Sequence, residues 1–504
     1  MFFNLGKSFL RLSVNSPQLK LFIRDISKKQ RKFIKRLPEE KLNIAKELRM
    51  SEIKSIKSII PKTKVLNSDN FKELFTPELI KLSDLFQQYG FDLRIAGGAV
   101  RDLLMDKKPS DVDFASDATP QQMIDMFTKE NIRMLHKRGE EHGTITCRIN
   151  DKENFEITTL RIDVLCDGRR AEVQFTTDWQ LDAFRRDLTI NALFLKLDGT
   201  VIDYTNGIED IKNRKILFAG NAETRIQEDF LRILRYFRFY GRIAENPNDF
   251  DKDTLEAIKK NSIGLNIISG ERIWTELKKI VVGRYASSVM RTMLEECKLN
   301  KYLGIPENCS LEHFNNIVTK NNINDLMPST TLSALFATHD DVLTFHKRVK
   351  MSNSEKGLCD SILNSRGTLK SRLDDNDFSN HKTWKDFLVV EYYKNCMKVE
   401  SAAKQKARQL GMYLLCDKEM LDEIDSIEIP IFPLNGIILK DNNFPKGPPV
   451  KFILDECFNA WIESNYKMDI NDLLIFGKNL EIPEEITKPK INRKRKVEAT
   501  SDNK

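Results

Sequence analysis

Acidic residues are missing from the first 24 positions, and the chain's eight cysteines stand singly at 147, 166, 297, 309, 359, 396, 416 and 457. No CxxC pair and no Cys/His cluster at ligand spacing occurs, which excludes a zinc-finger or disulfide-stapled scaffold and fits reduced thiols inside a cell. No apolar run approaches the roughly 18 residues that cross a bilayer, so no membrane partner is expected. No repeat of roughly 20–50 residues recurs, which argues against a solenoid. What is left is 504 residues, 40% hydrophobic and 31% charged, the balance of a globular protein of several domains.

The net charge of +7 suggests nucleic acid, but its distribution does not. Residues 1–36 carry ten Lys/Arg against Asp25 alone, and residues 488–504 carry seven against two acids, leaving residues 37–487 at about −7. Affinity for phosphate therefore has to come from a local basic cleft on an acidic body. The start, MFFNLGKSFLRLSVNSPQLKLFIR, mixes Arg/Lys, Ser and large apolar residues in the manner of a mitochondrial transit peptide; a basic arm is the other reading. INRKRKV at 491–497 fits a nuclear import signal, an RNA-grazing tail or a solubilising end.

Periodicity predicts a helix over 71–88, a strand over 93–96 running into Gly97-Gly98, and a helix over about 100–105. A turn through Lys108-Pro109-Ser110 leads to a strand over 111–115, and a helix opens at Thr119-Pro120. Strands are expected at 143–149, 155–160 and 171–175. Mixed structure ends near 194–204, and beyond about 210 the periodic segments are helical: 224–240, 253–260, 271–281 and more through Trp461. Residues 374–382 read as a surface loop, and 430–449 as a connector to the last helical piece. The fold class is α+β: a small mixed head followed by an all-helical remainder.

Three segments carry chemistry. In the first, Asp111-Val112-Asp113 sits thirteen residues after a Gly-Gly turn between strand and helix. On a strand, residues i and i+2 share a face, so both carboxylates can hold hard cations. The Gly97-Gly98 turn lets backbone N–H groups approach a triphosphate, and Arg101, one turn in, can neutralise it. A DxD alone reads as a turn or surface pair; beside a glycine turn it reads as phosphoryl transfer, with Asp111 and Asp113 holding Mg²⁺. Glu156 is the candidate third carboxylate, or equally an edge-strand acid.

The second segment, Phe184–Ala192 (FRRDLTINA), sets Arg185 and Arg186 before Asp187, suiting triphosphate and ribose contacts or, alternatively, a charged helix cap. In the third, EDFLRILRYFRF from Glu228, polar residues recur at 229, 232, 235 and 238 with apolar residues between. On a helix this is a narrow charged stripe, expected at a cleft or in a structural ion-pair row.

Together GGAVRD with DVDF, RRDLTINA and EDFLRILRYFRF closely resemble the CCA-adding tRNA nucleotidyltransferases of the bacterial–eukaryotic class, in the superfamily of DNA polymerase beta. The resemblance spans about 70–280, including DYTNGIEDI at 203–211 and SGERIWTEL at 269–277, and fades in the C-terminal third. It implies a polymerase beta-like head over 60–205, a neck over 206–270 bearing the nucleotide-selecting helix, a helical body over 271–410 and a tail over 411–485. A targeting segment over 1–36 and a basic disordered end over 486–504 would flank them.

The implied reaction adds C, C and A to the tRNA 3′ end from CTP and ATP, without a template and with release of pyrophosphate. The implied partners are tRNA, through its 3′ end and acceptor arm, and the two nucleotides. By the same resemblance Asp229 and Arg232 would face the Watson–Crick edge of the incoming base, Arg235 and Arg238 would support them, and the VLCDGRR loop at 164–170 would assist the change from C to A. The nearest rival is a poly(A) polymerase of the superfamily, and the transit-like start favours CCA addition over that bacterial alternative. A catalytically silent RNA-binding relative should have lost an acid, whereas Asp111 and Asp113 are both present. Mitochondria are the expected destination, with nuclear and cytoplasmic pools.

Overall fold

A computed structural model describes residues 58–135, 143–166, 171–372, 381–483 and 486. The basic start, the C-terminal basic run, residues 167–170 of VLCDGRR and most of the 374–382 segment lie outside the described residues; His381 and Lys382 open a helix instead.

The first compact unit ends at Asn364. It opens with an eight-stranded sheet of order β1-β10-β9-β2-β3-β6-β5-β4. The strands are β1 (Lys62–Val65), β2 (Leu93–Ala96), β3 (Asp113–Ser116), β4 (Arg133–Leu135), β5 (Thr144–Ile149), β6 (Glu153–Thr159), β9 (Leu193–Lys196) and β10 (Thr200–Asp203). Between β6 and β9 a separate hairpin pairs β7 (Arg161–Cys166) with β8 (Ala171–Phe175), so part of the expected VLCDGRR loop is strand. The helices that accompany this sheet include α1 (Pro77–Gln88), α2 (Gly98–Leu104), α3 (Pro120–Lys129) and α4 (Trp179–Arg185), and α5 (Gly207–Lys212) follows β10.

Alternation along the strands decides what each face of the sheet does. Leu195, Ile95, Phe114, Ile157 and Ile145 lie opposite one another across five adjacent strands, and all are buried. On the helical side, α1 and α3 pack against the sheet, and their Phe86 and Phe127 rings meet edge-on. The neighbouring rows, shifted by one residue, point to the other face. There Ala96, Ala115, Phe194 and Ile202 pack with Trp179 and Ala183 of α4, and Asp113 stands beside Glu156.

Several expected boundaries shift for local reasons. The helix predicted over 71–88 is interrupted, because Thr76 caps a new one at Pro77 by accepting from the Leu79 N–H. Thr119 opens α3 with a capping box to Gln122, at the expected place. The strand predicted from Asp111 begins at Asp113, leaving Asp111 just ahead of it. The helix predicted over 224–240 is two helices, α6 (Ala222–Glu228) and α7 (Arg232–Ile243), because Asp229 is extended at φ −148° and ψ 106°. After them come α8 (Lys252–Asn261) and α9 (Gly270–Ile280).

The second unit, from Ser365, is helical where described. Its core gathers Val389, Ile453, Cys457, Phe458, Trp461 and Leu473 around Leu434, Leu439 and Phe444. The 430–449 segment is therefore packed into this core and is more than a connector. Among the described residues no helix is long and apolar enough to cross a membrane.

Candidate active site

The chain turns from β2 into α2 at Gly97, whose φ of 71° and ψ of −121° suit glycine. A Cβ there would stand 3.2 Å from Arg186 Nη1. The turn and the second expected segment thus meet directly. Around them opens a cleft of about 700 Å³. All twelve residues singled out from the sequence line it: Gly97, Gly98, Arg101, Asp111, Asp113, Glu156, Arg186, Asp187, Asp229, Arg232, Arg235 and Arg238. Nine Lys/Arg line it against six acids, the local basic surface that an acidic body requires. A larger cleft, of about 860 Å³, borders α6 and α8 but holds none of the twelve, and its Lys259 and Lys260 are paired with Glu256 and Glu223.

One wall carries the carboxylates. β3 and β6 are parallel, and their register sets Asp113 directly beside Glu156 on the cleft face. Burial raises the pKa of Asp113, Asp111 raises it further, and Arg186 works in the opposite direction. Glu156 is raised by burial and then by Asp113. Carboxylates that crowd one another are hard oxygen donors that a divalent cation would relieve. Among the described residues no group of three or more His, Cys, Asp or Glu forms a ready metal cage. Mg²⁺ does not need one, since it binds through one or two carboxylates together with substrate phosphates and water. The residues present fit that ion.

The arginines are less available than their sequence positions suggest. Arg101 is buried: Nε and Nη2 donate to Asp102 Oδ1 and Nη1 donates to Asn191 Oδ1, so its charge is already balanced. Arg186 is held by Asp182, a buried acid of α4 that also binds Arg185. Burial pushes the Asp182 carboxyl up, but Arg185 and Arg186 prevail and lower it. Asp187, expected among the ribose and triphosphate contacts, instead accepts from Arg235 Nε at 2.6 Å and from the Leu188 N–H. This contact ties Arg235 to the Asp187 carboxylate.

On the opposite wall, Asp229 lies in the break before α7. Its Oδ1 accepts from the Leu231 N–H and its Oδ2 from Arg272 Nη2 at 2.6 Å. Arg232 donates through Nη1 to Glu228 and the Arg225 carbonyl, and through Nη2 to the Arg185 carbonyl. Of its five donors, Nε–H and one Nη2 proton find no partner among the described residues. Arg235 and Arg238 approach Glu276 of α9 at 3.9 and 3.0 Å and flank the Phe239 ring.

Sequence reasoning missed Asp182, Arg272 and Glu276. Asp182 had a signal, because residues three and four apart on a helix are neighbours. Arg272 and Glu276 lie in the SGERIWTEL segment already noted, but nothing in it marked these two, since their partners lie some forty residues away.

A glycine turn feeding a helix, with paired acids on the adjacent strand and an arginine-rich opposite wall, defines a nucleotidyltransferase head. Residues 93–217 match the family model described as the poly A polymerase head domain, and 249–307 match a probable RNA and SrmB-binding site of polymerase A. The mitochondrial CCA tRNA nucleotidyltransferase 1 of Homo sapiens is 46% identical over 418 residues, covering 82% of this chain and 93% of that protein. That of Danio rerio is 45% identical over 412 residues with the same coverage. The chain belongs to the CCA tRNA nucleotidyltransferase family. The crystal structure of the Bacillus stearothermophilus CCA-adding enzyme in complex with CTP aligns with a TM-score of 0.62 at 24% identity, over 82% of this chain and 98% of that one, and confirms the fold.

Proposed function

We propose that the chain performs the family's reaction, adding C, C and A to tRNA 3′ ends from CTP and ATP, through the cleft between the carboxylate wall and α7. The carrying observation is the convergence on this one cleft of three segments spread over more than a hundred residues of sequence. Asp111 and Asp113 would hold Mg²⁺, with Glu156 beside them. When bound, that ion supplies charge neutralisation at the reacting phosphate and lowers the pKa of the attacking hydroxyl. Gly97 and Gly98 would admit the triphosphate to the backbone, and Arg186, steadied by Asp182, would grip it. Arg101 and Asp187 act through Asn191 and Arg235 as positioning residues.

Asp229 would accept from the exocyclic amine of cytosine or adenine, while Arg232 donates to the adjacent ring nitrogen. Uracil turns a carbonyl toward Asp229, acceptor against acceptor. Asp229→Ala should accordingly reduce discrimination against UTP by about ten- to a hundredfold, matching the roughly 1–3 kcal/mol of one mismatched buried polar group. Competition assays with CTP and UTP read this directly, and an unchanged ratio removes the template role.

The names of the animal relatives support a mitochondrial location, as does the composition of residues 1–36. The INRKRKV run, taken as an import signal, supports an additional nuclear pool, and a cytoplasmic pool completes the proposed distribution. We assign the head to 60–205, the neck to 206–270, the body to 271–410 and the tail to 411–485. The decisive assay incubates purified protein with tRNA ending at the discriminator base, CTP and ATP, and sequences the products. Ordered CCA ends are expected; sustained A-tailing without C incorporation would favour poly(A) polymerase chemistry and overturn the reading.

A further inference from the structure

The cations of the cleft are unequal. Arg101, Arg185, Arg186, Arg232, Arg235 and Arg238 are each paired with an acid, and Arg161 lies within the field of Asp163 and Asp182. Arg242 and Lys279 differ. Both line the cleft, both are exposed, and among the described residues neither is recorded with an ion-pair or hydrogen-bond partner.

Their position follows from how α7 and α9 run side by side. Asp229 meets Arg272 near one end of the seam, and Arg235 and Arg238 meet Glu276 farther along. Arg242 lies one turn beyond Arg238, and Lys279 lies three residues beyond Glu276, so each continues its helix's contact face. The earlier rungs oppose a cation and an anion. Arg242 and Lys279, which continue the two faces, are both cations and both line the cleft. Arg242 is also near enough to the buried Arg101 guanidinium to oppose its charge.

We propose that Arg242 and Lys279 form a phosphate subsite that receives the backbone of the RNA acceptor strand as its 3′ end enters the cleft. This rests on the nucleotidyl transfer reading above. The ligand chemistry is a phosphodiester anion, and the competing source is the triphosphate of the incoming nucleotide. Arg242 is ten residues along α7 from Arg232, about 15 Å at the helical rise. That separates it from the base-selecting end, while the glycine turn and Arg186 already serve the triphosphate. The pair also supplies what the charge distribution demands, uncommitted positive charge at the mouth of a cleft in an otherwise acidic body.

The test compares wild type with R242Q/K279Q, which removes both charges and leaves shorter, unbranched polar side chains. Affinity for tRNA ending at the discriminator base is measured across a salt series, alongside affinity for CTP and thermal stability. The expected result is roughly tenfold weaker tRNA binding, with the slope of log Kd against log salt reduced by about one to two, since each lost phosphate contact removes nearly one unit. The Kd for CTP should stay within about twofold.

Unchanged tRNA affinity and salt slope overturn the subsite and leave the two residues as cations complementing helix C-termini, a role that would show as a lowered Tm alone. Weakened CTP binding with intact tRNA binding overturns the RNA assignment in favour of the triphosphate. Wild-type extension assays keep the two readings distinguishable. A wild-type protein that binds RNA with this salt response yet adds no nucleotide refutes the proposed function and spares the subsite.

Discussion

Asp113→Asn should lower kcat for cytidine incorporation by about a thousandfold while leaving the Kd for tRNA within about twofold. Metal-assisted charge stabilisation supplies several kcal/mol, and about 4 kcal/mol corresponds to three decades in rate. Asp113 is the member of the acid pair anchored in the sheet, with Phe114 buried behind it and Glu156 opposite in register. Asparagine keeps its shape but is a weaker donor to Mg²⁺. The same substitution removes a carboxylate that Asp111 pushes up and that in turn pushes up Glu156, so Tm should hold or rise slightly. Rapid-quench incorporation, filter binding and calorimetry on one preparation check all three. Activity within tenfold of wild type would sink the metal assignment, and a large fall in Tm would mean that Asp113 serves the fold instead.

The parts legible in the sequence are those whose cause is local. Gly97-Gly98 announces a turn because glycine tolerates its positive φ, and Thr119-Pro120 announces a helix through capping chemistry. The acidic pair was legible through its spacing, and the arginine stripe through its period. What stayed hidden depends on tertiary partners. Nothing around Glu228-Asp229-Phe230 breaks a helix by propensity, yet the chain opens there, and Asp229 joins Arg272 from another helix. The strand Arg161–Cys166 escaped because Asp167 to Arg170 reads as a turn that engulfs its end. Arg101 and Asp187 lie in the cleft as expected and are already paired, with Asp102 and Asn191 and with Arg235, since a buried charge in this crowded cleft is first balanced by protein. Residue type and spacing reveal which groups gather; they do not reveal which of them remain free for a ligand.

Asp187→Ala makes that distinction measurable, with an expected loss of roughly 3–5 kcal/mol of stability, the scale of breaking one partner out of a buried ion pair. Arg235 would keep only Glu276 at 3.9 Å, and the Leu188 N–H would lose its carboxylate acceptor. Burial alone would push the Asp187 carboxyl up, but Arg235, with help from Arg232 and the Leu188 N–H, brings it down to about 2. A carboxyl held below its unfolded value near 3.9 contributes stability above that value and loses it as pH falls toward the folded one. The Tm difference between wild type and Asp187→Ala should therefore be full at pH 6 and shrink between about pH 4 and 2. A difference independent of pH across that window would show that the cost is packing rather than charge. Because Arg235 sits one turn beyond Arg232 on α7, the variant should also disturb nucleotide selection, raising KM for CTP more than it lowers kcat. A ligand role for Asp187 at the ribose would instead weaken CTP binding with stability untouched.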